Sequence, residues 1–149
     1  MRMPSLSFRG LTVAAFLAAA IPSIQPAIAA DPMIGPSDGA AIHDVVQGQL
    51  NAFQHDDGEK AFSFAAPTIR EIFRSSENFM NMVRSGYAPV YRPRKVEFGI
   101  VDVIDGTPVQ HVFVVGPDGT NLDALYYMEH ETDGSWRIKG CELKASYQA

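Results

Sequence analysis

Apolar and polar residues alternate with a period of two along the last third of the chain. Such alternation is typical of β-strands, whose successive side chains point to opposite faces of a sheet. Asp-Gly pairs at 105–106, 118–119 and 133–134 interrupt it, and Asp-Gly tolerates the positive φ that hairpin turns require. The pattern predicts an antiparallel meander of four strands, at 95–104, 107–115, 122–131 and 135–143.

The apolar residues of these strands are not confined to one face. In the first strand the apolar face changes near Gly99, which indicates a bulge or a sharp bend. In the last strand Ile138 falls on one face, and Cys141 falls on the other with Arg137 and Lys139. We therefore expect both faces of the sheet to be covered, one by helices and the other by a partner or by the curl of the sheet itself.

Upstream of the strands the apolar residues recur at helical spacing. They predict one helix capped by Ser37 or Asp38 and short helices at 59–66, 68–74 and 77–85. Prolines 89 and 93 predict an extended connector over 87–93. Helices followed by an antiparallel sheet form an α+β domain, with short N-terminal helices packed on one side of a curved four-stranded meander.

The first thirty residues have the three-part pattern of a secretory signal peptide. Basic residues without acids precede an apolar stretch of eleven residues, Leu11–Ile21, and small residues follow at Ala27 and Ala29. The apolar stretch is shorter than the roughly 20 residues that span a bilayer. The pattern predicts a signal peptide over 1–29, a flexible leader over 30–39 and one domain over 40–147. We expect export to the periplasm or secretion, with no membrane association after cleavage.

Charge and cysteine content narrow the partners of the predicted mature chain. All 17 acidic residues and ten of the 12 basic residues lie beyond Ala29, so its formal charge is −7. A negative domain repels nucleic acid phosphates, and we expect no nucleic acid partner. The single cysteine forms no internal disulfide, so stability has to come from core packing.

Two resemblances follow from the order of elements and from short motifs. Helices followed by a meander that ends in Asp-Gly-Ser-Trp-Arg-Ile, residues 133–138, resemble the nuclear transport factor 2-like superfamily. Several further segments resemble a family of small exported bacterial proteins known as domain of unknown function 4864: Gln49-Leu50-x-Ala52-Phe53, Ala61-Phe62-x-Phe64-Ala65-x-Pro67, Phe79-x-x-Met82-Val83, Tyr87-x-Pro89-Val90-Tyr91 and Trp136-Arg137-Ile138-x-Gly140-Cys141. The first resemblance implies a cone that often encloses a pocket and often dimerises through the outer sheet face. The second implies no activity.

A pocket in such a cone would need both apolar walls and polar groups. The candidates for lining it are Phe79, Met82, Tyr87, Tyr91, His111 and Tyr126. His111 beside a tyrosine could supply acid–base chemistry, with Asp102 or Asp123 as the carboxylate. The alternative is a histidine satisfied on a sheet face, and the aromatic and methionine residues would equally well fill a core.

The other candidate sites are a basic cluster, the histidines and the single cysteine. Arg92, Arg94 and Lys95 form a dense basic cluster that could hold an anion at the rim of the first strand, or could simply discourage strand pairing at an edge. The four histidines are scattered, so we predict no metal site and no cofactor. Cys141 could be a reactive thiol or a small buried hydrophobe.

No catalytic residue set emerges from these patterns. The sequence therefore favours a non-catalytic binding or protein-interaction module that takes an apolar small molecule or forms a homodimer through its sheet face. The alternative is an isomerase or hydro-lyase working through His111 and a pocket tyrosine, so whether the chain is an enzyme stays open at this stage.

Overall fold

The structure, a computed structural model, describes residues 34–146 as five helices followed by four strands. The predicted signal peptide lies outside the described residues, as does the leader up to residue 33. The elements are α1 (Pro36–Gln54), α2 (Gly58–Ser63), α3 (Pro67–Phe73), α4 (Ser76–Gly86), α5 (Ala88–Tyr91), β1 (Lys95–Ile104), β2 (Thr107–Val115), β3 (Asn121–His130) and β4 (Trp136–Ala145). The predicted α+β class is confirmed.

The four strands form one antiparallel sheet in the order β1-β2-β3-β4, as the three Asp-Gly pairs predict. Gly106, Gly119 and Gly134 have φ of 74°, 87° and 85°, values that a residue with a Cβ adopts only at a cost. In the second and third turns the aspartate side chain also accepts a backbone hydrogen bond. Asp118 Oδ1 accepts from Thr120 N at 2.9 Å, and Asp133 Oδ1 from Ser135 N at 2.8 Å.

Bulges in β1 and β4 change which residues share a face. The predicted irregularity near Gly99 is confirmed as a register shift between Phe98 and Val101. It places Val101 against the core with Phe98 and leaves Ile100 71% exposed. Strict alternation would place Ile100 on the same face as Phe98.

The second bulge was not predicted. The pairing shifts from Tyr127↔Gly140 to Met128↔Ile138, so Lys139 is the extra residue in β4. Cys141 therefore lies on the same face as Ile138, packed against the core, and the prediction that it shares a face with Arg137 and Lys139 is wrong. An extra residue reverses the side-chain alternation beyond it.

The core lies between the helices and one face of the sheet, which we call the inner face. In α1, Ile42, Val46, Leu50 and Phe53 are buried, as their spacing predicts. They pack with inner-face residues of β2, β3 and β4: Val112, Val114, Ala124, Tyr126, Met128, Trp136 and Ile138. Burying each large apolar side chain contributes roughly 1.5–3 kcal/mol.

Two helix predictions need correction, and both involve proline. Helix α1 begins at Pro36 with Gly35 as its N-cap and no side-chain cap, so neither Ser37 nor Asp38 caps it and 36–39 are helical. The segment predicted as an extended connector contains α5, with Pro89 in its first turn. Proline suits a first turn because its missing N–H would have no helical partner there.

The connection between α2 and α3 is tied to the edge of β4. Ala66 N donates to Ile138 O at 2.8 Å, and Ile138 N donates to Phe64 O at 2.9 Å, forming a parallel bridge between Ala65 and Ile138. This bridge places α3 beside the inner face. None of the helices in the described range has both the length and the apolar character needed to cross a membrane.

Candidate functional site

A cavity of about 440 Å³ lies between the helices and the inner face of the sheet. That volume falls within the range of ordinary small-molecule sites, roughly 300–1,000 Å³. Its walls are almost wholly apolar: Phe53 of α1, Ala65, three residues of α3 (Ile69, Ile72, Phe73), Phe79, Met82 and Val83 of α4, Val90 of α5, and Ile138 and Gly140 of β4. The polar side chains in the lining are Gln49, Tyr87, Tyr126 and Cys141.

The cavity runs from the surface to the centre of the domain. Ile72 at one end is 64% exposed, and Tyr126 at the other is 1% exposed. Helix α3 forms the outer wall and has no buried residue. Ile69 and Phe73 pack against the core without being fully buried, and elements with few buried residues open more easily than the core does, so α3 offers a path of entry.

Helix α4 is shaped by its cap and by its apolar stripe. Ser75 Oγ accepts from Asn78 N at 3.2 Å, as expected of a serine N-cap. Asn78 Nδ2 donates to Phe73 O at 3.0 Å, which joins α4 to the end of α3. Phe79, Met80 and Val83 are buried on one side of the helix, and this orientation turns Phe79 and Val83 toward the cavity.

Three polar groups meet on the sheet wall of the cavity. Tyr126 pairs with Cys141 across β3 and β4, and Tyr87 Oη donates to Cys141 O at 3.1 Å. Tyr126 Oη is buried and forms no hydrogen bond with any residue of the described range. Gln49 is also buried, but its Nε2 donates to Ala61 O at 3.1 Å.

Burial keeps these groups protonated. It raises the pKa of Tyr126 well above its usual 10.0 and raises that of Tyr87 as well. It raises the pKa of the Cys141 thiol from 9.0 to about 12. A low-dielectric site disfavours the charged form of each group. At neutral pH the cavity therefore presents hydroxyl and thiol groups and no anion.

Four of the six predicted pocket residues line this cavity: Phe79, Met82, Tyr87 and Tyr126. Tyr91 lies elsewhere, with its hydroxyl on Asp56 and the Arg92 guanidinium 4.0 Å from the centre of its ring. His111 lies on the opposite face of the sheet, which we call the outer face, because its neighbour Val112 is a core residue. The expected pairing of His111 with a pocket tyrosine is therefore not what the structure shows.

On the outer face His111 is paired with a carboxylate. Its Nδ1 lies 2.9 Å from Asp123 Oδ2, and each side chain is 20% exposed. His111 Nε2 and Asp123 Oδ1 are buried without a hydrogen-bond partner in residues 34–146. No cluster of three or more His, Cys, Asp or Glu side chains that could hold a metal ion occurs over the same residues.

The three predicted anion-binding residues do not converge on one point. Arg92 Nη2 lies 2.8 Å from Asp56 Oδ2, and Lys95 Nζ lies 3.3 Å from Glu97 Oε2. Arg94 helps to lower the pKa of Asp118, although the hydrogen bonds from Thr120 have the larger effect. Each cation is thus placed near a carboxylate, which is an unfavourable arrangement for a bound anion.

The homodimer through the sheet face stays a prediction.

Sequence reasoning missed much of the cavity lining. The predicted helix at 68–74 contains Ile69, Ile72 and Phe73, but its spacing assigns them no role in a site, and the strict alternation predicted for the last strand places Cys141 on the wrong face. The distance between 69–73 and 138–141 along the chain gives no local signal of their proximity. The backbone bridge at Ala65 and Ile138 brings them together.

Comparison with known proteins gives one match. The model of a family described as a domain of unknown function (DUF4864) matches residues 36–149, in agreement with the resemblance of the five short segments. The curated proteins and the solved structures give no match.

Proposed function

The chain belongs to the family described as a domain of unknown function (DUF4864), and we propose that it is a binding module that holds an apolar small molecule in its inner-face cavity. The family description names no activity, so the proposal rests on the site. The observation that carries it is a cavity of about 440 Å³ with almost wholly apolar walls between the helices and the inner face of the sheet.

Energetics support an apolar occupant. Wall residues beside an unfilled space lose dispersion contacts that a ligand would restore. A ligand that buries roughly 300 Å² of apolar surface gains about 7 kcal/mol before the cost of association is subtracted. Micromolar affinity corresponds to about 8 kcal/mol, so a ligand bound that tightly has to bury more apolar surface than this or gain dispersion contacts with the walls as well.

Two observations favour binding over an isomerase or hydro-lyase. A general base needs a pKa near the working pH, yet burial keeps the pKa values of Tyr87, Tyr126 and Cys141 high. His111, the predicted base, lies on the outer face, so the sheet separates it from the cavity.

The test is binding of a neutral fluorescent dye, N-phenylnaphthylamine, to the purified and delipidated protein. We expect saturable binding at one dye per chain. Met82→Trp, which fills the cavity from α4, should weaken binding by at least about tenfold. Ile100→Trp on the exposed bulge of β1 is the matched control and should bind the dye as the wild type does. Equal binding by both variants would show that the dye does not occupy this cavity.

We further propose that the domain works after export and that its fold is related to the nuclear transport factor 2-like superfamily. The signal-peptide pattern of residues 1–29 supports export from a bacterial cytoplasm, and the order of helices then meander supports the fold relationship. Mass spectrometry of the protein from cells should find a mature chain beginning at Ala30. An intact N-terminus in a cytoplasmic fraction would contradict export.

A further inference from the structure

One polar group in the cavity lining, the Tyr126 hydroxyl, indicates the chemistry of the ligand. Resting on the proposed function, we infer that the ligand is an uncharged molecule with an apolar body and an oxygen acceptor, such as a carbonyl or an ether, that accepts a hydrogen bond from the Tyr126 hydroxyl. The inference goes beyond apolar binding because it specifies one polar atom of the ligand and the protein group that recognises it.

The first support is the position of Tyr126. Its ring packs in the core, its side chain is 1% exposed, and it lines the deep end of the cavity. Its hydroxyl has no hydrogen-bond partner within residues 34–146. Buried polar groups are nearly always paired, so an unpaired one indicates a missing partner.

The second support is that the neighbouring polar groups are occupied or weak. The Tyr87 hydroxyl donates to Cys141 O at 3.1 Å, and Gln49 Nε2 donates to Ala61 O at 3.1 Å. The Cys141 thiol is the one side chain near the Tyr126 hydroxyl in the described range that affects its pKa through a hydrogen-bond contact, and Tyr126 affects the pKa of Cys141 in the same way. A thiol sulfur is a weak acceptor, so this contact leaves the hydroxyl without a strong partner.

The third support is the charge of the lining. No Lys, Arg, His, Asp or Glu is among the residues that line the cavity in the described part of the chain. A carboxylate ligand would therefore lose its hydration without gaining a cation, and an ammonium ligand would gain no anion. A neutral oxygen avoids both penalties and still satisfies the Tyr126 hydroxyl.

The test compares two ligands of matched shape, para-acetylbiphenyl and para-ethylbiphenyl, by displacement of N-phenylnaphthylamine. Tyr126→Phe should weaken the ketone by about tenfold and leave the hydrocarbon within about twofold. The ratio of wild-type to variant affinity is compared between the two ligands. The different cost of taking each ligand out of water then cancels. Para-biphenylcarboxylate should bind wild type more weakly than the ketone by at least about tenfold.

Tyr127→Phe is the matched control. Tyr127 is the next residue in β3, its hydroxyl donates to Glu142 Oε2 at 3.0 Å, and it lies on the outer face. The same loss of a hydroxyl there should leave both affinities unchanged. The melting temperature gives an independent readout. Without ligand, Tyr126→Phe should melt at or above the wild-type temperature, because an unpaired buried hydroxyl is removed.

The outcomes separate the two proposals. If both biphenyls displace the dye and Tyr126→Phe weakens them equally or not at all, the inference about Tyr126 is overturned and the binding proposal stands. Preferential binding of the carboxylate would also overturn the inference. If no ligand displaces the dye from the wild type, the proposed function fails. If Tyr126→Phe does not fold, infrared spectroscopy of the ketone bound to the wild type tests the inference. A hydrogen bond lowers the carbonyl stretching frequency below that of the ketone in hexane, and an unlowered frequency would overturn the inference.

Discussion

The two faces of the sheet are built from the same strands, but their polar side chains lie in different environments. On the inner face Tyr126 is buried and its hydroxyl has no partner among the described residues. On the outer face its neighbour Tyr127 donates to Glu142 Oε2 at 3.0 Å. One step along β3 therefore separates a buried hydroxyl that lacks a partner among the described residues from a hydroxyl paired with Glu142. Strand alternation places the two side chains on opposite faces.

Ionisable groups show the same contrast. Inner-face groups are kept in their neutral forms, as the raised pKa values of Tyr126 and Cys141 show. Outer-face groups are arranged in pairs of opposite type, such as His111 with Asp123 and Lys144 with Glu142. The inner face therefore suits a neutral ligand, whereas the outer face combines these polar pairs with the buried apolar side chains of Val109 and Leu125.

The largest expected effect concerns the thiol of Cys141. Because this is the single cysteine of the chain, all alkylation reports on it. A pKa of about 12 instead of 9.0 lowers the thiolate fraction at pH 8 by about a thousandfold. The higher nucleophilicity of a thiolate with a raised pKa offsets part of that factor, so we expect iodoacetamide to react about 30-fold more slowly with the folded protein than with the urea-unfolded protein.

The pH dependence separates ionisation from simple shielding. If ionisation limits the reaction, the folded-state rate should keep rising tenfold per pH unit above the ordinary thiol pKa of 9.0. The unfolded chain loses its thiol proton first, so this group makes the stability of the fold fall as the pH rises from 9.0 toward about 12. A folded-state rate that levels off near pH 9 would contradict the raised pKa of Cys141. It would also weaken the contrast between the ionisable groups of the two faces.

Local patterns were sufficient to predict most of the backbone. The Asp-Gly turns, the meander and the buried stripe of α1 each depend on neighbouring residues, and the structure has all of them. The cavity depends on contacts between distant segments. Gly140, next to the bulge at Lys139, is the same kind of signal that predicts the bulge near Gly99, although strict alternation was predicted for β4. The bulge moves Cys141 to the inner face. The bridge at Ala65 has no signal within a short window of sequence, which explains why only four of the fifteen residues that line the cavity were predicted.

A smaller effect is expected from removing an aliphatic side chain on each side of the molecule. Leu50 is 0% exposed beneath the sheet, and Ile100 is 71% exposed on the β1 bulge. Leu50→Ala should cost about 2–5 kcal/mol in free energy of unfolding because it leaves a cavity in the core. Ile100→Ala should stay within about 0.5 kcal/mol of the wild type.

Urea denaturation followed by the fluorescence of Trp136 measures both variants, since Trp136 is the single tryptophan and is 8% exposed. A cost for Ile100→Ala close to that of Leu50→Ala would mean that Ile100 is covered in solution. Dependence of that cost on protein concentration would then point to the predicted homodimer through this face.

The smallest effect is expected at the pair formed by His111 and Asp123. Asp123→Ala leaves His111 Nδ1 without the partner it has at 2.9 Å, and we expect a loss of about 1–2 kcal/mol. The double variant His111→Phe with Asp123→Leu should lie within about 1 kcal/mol of the wild type, because it also removes the two unpartnered atoms, Nε2 and Oδ1. All three proteins should bind N-phenylnaphthylamine equally, since the pair and the cavity lie on opposite faces. If Asp123→Ala remained folded but lost dye binding, the two faces would be coupled through β3, and the separation between the cavity face and the outer face would no longer hold.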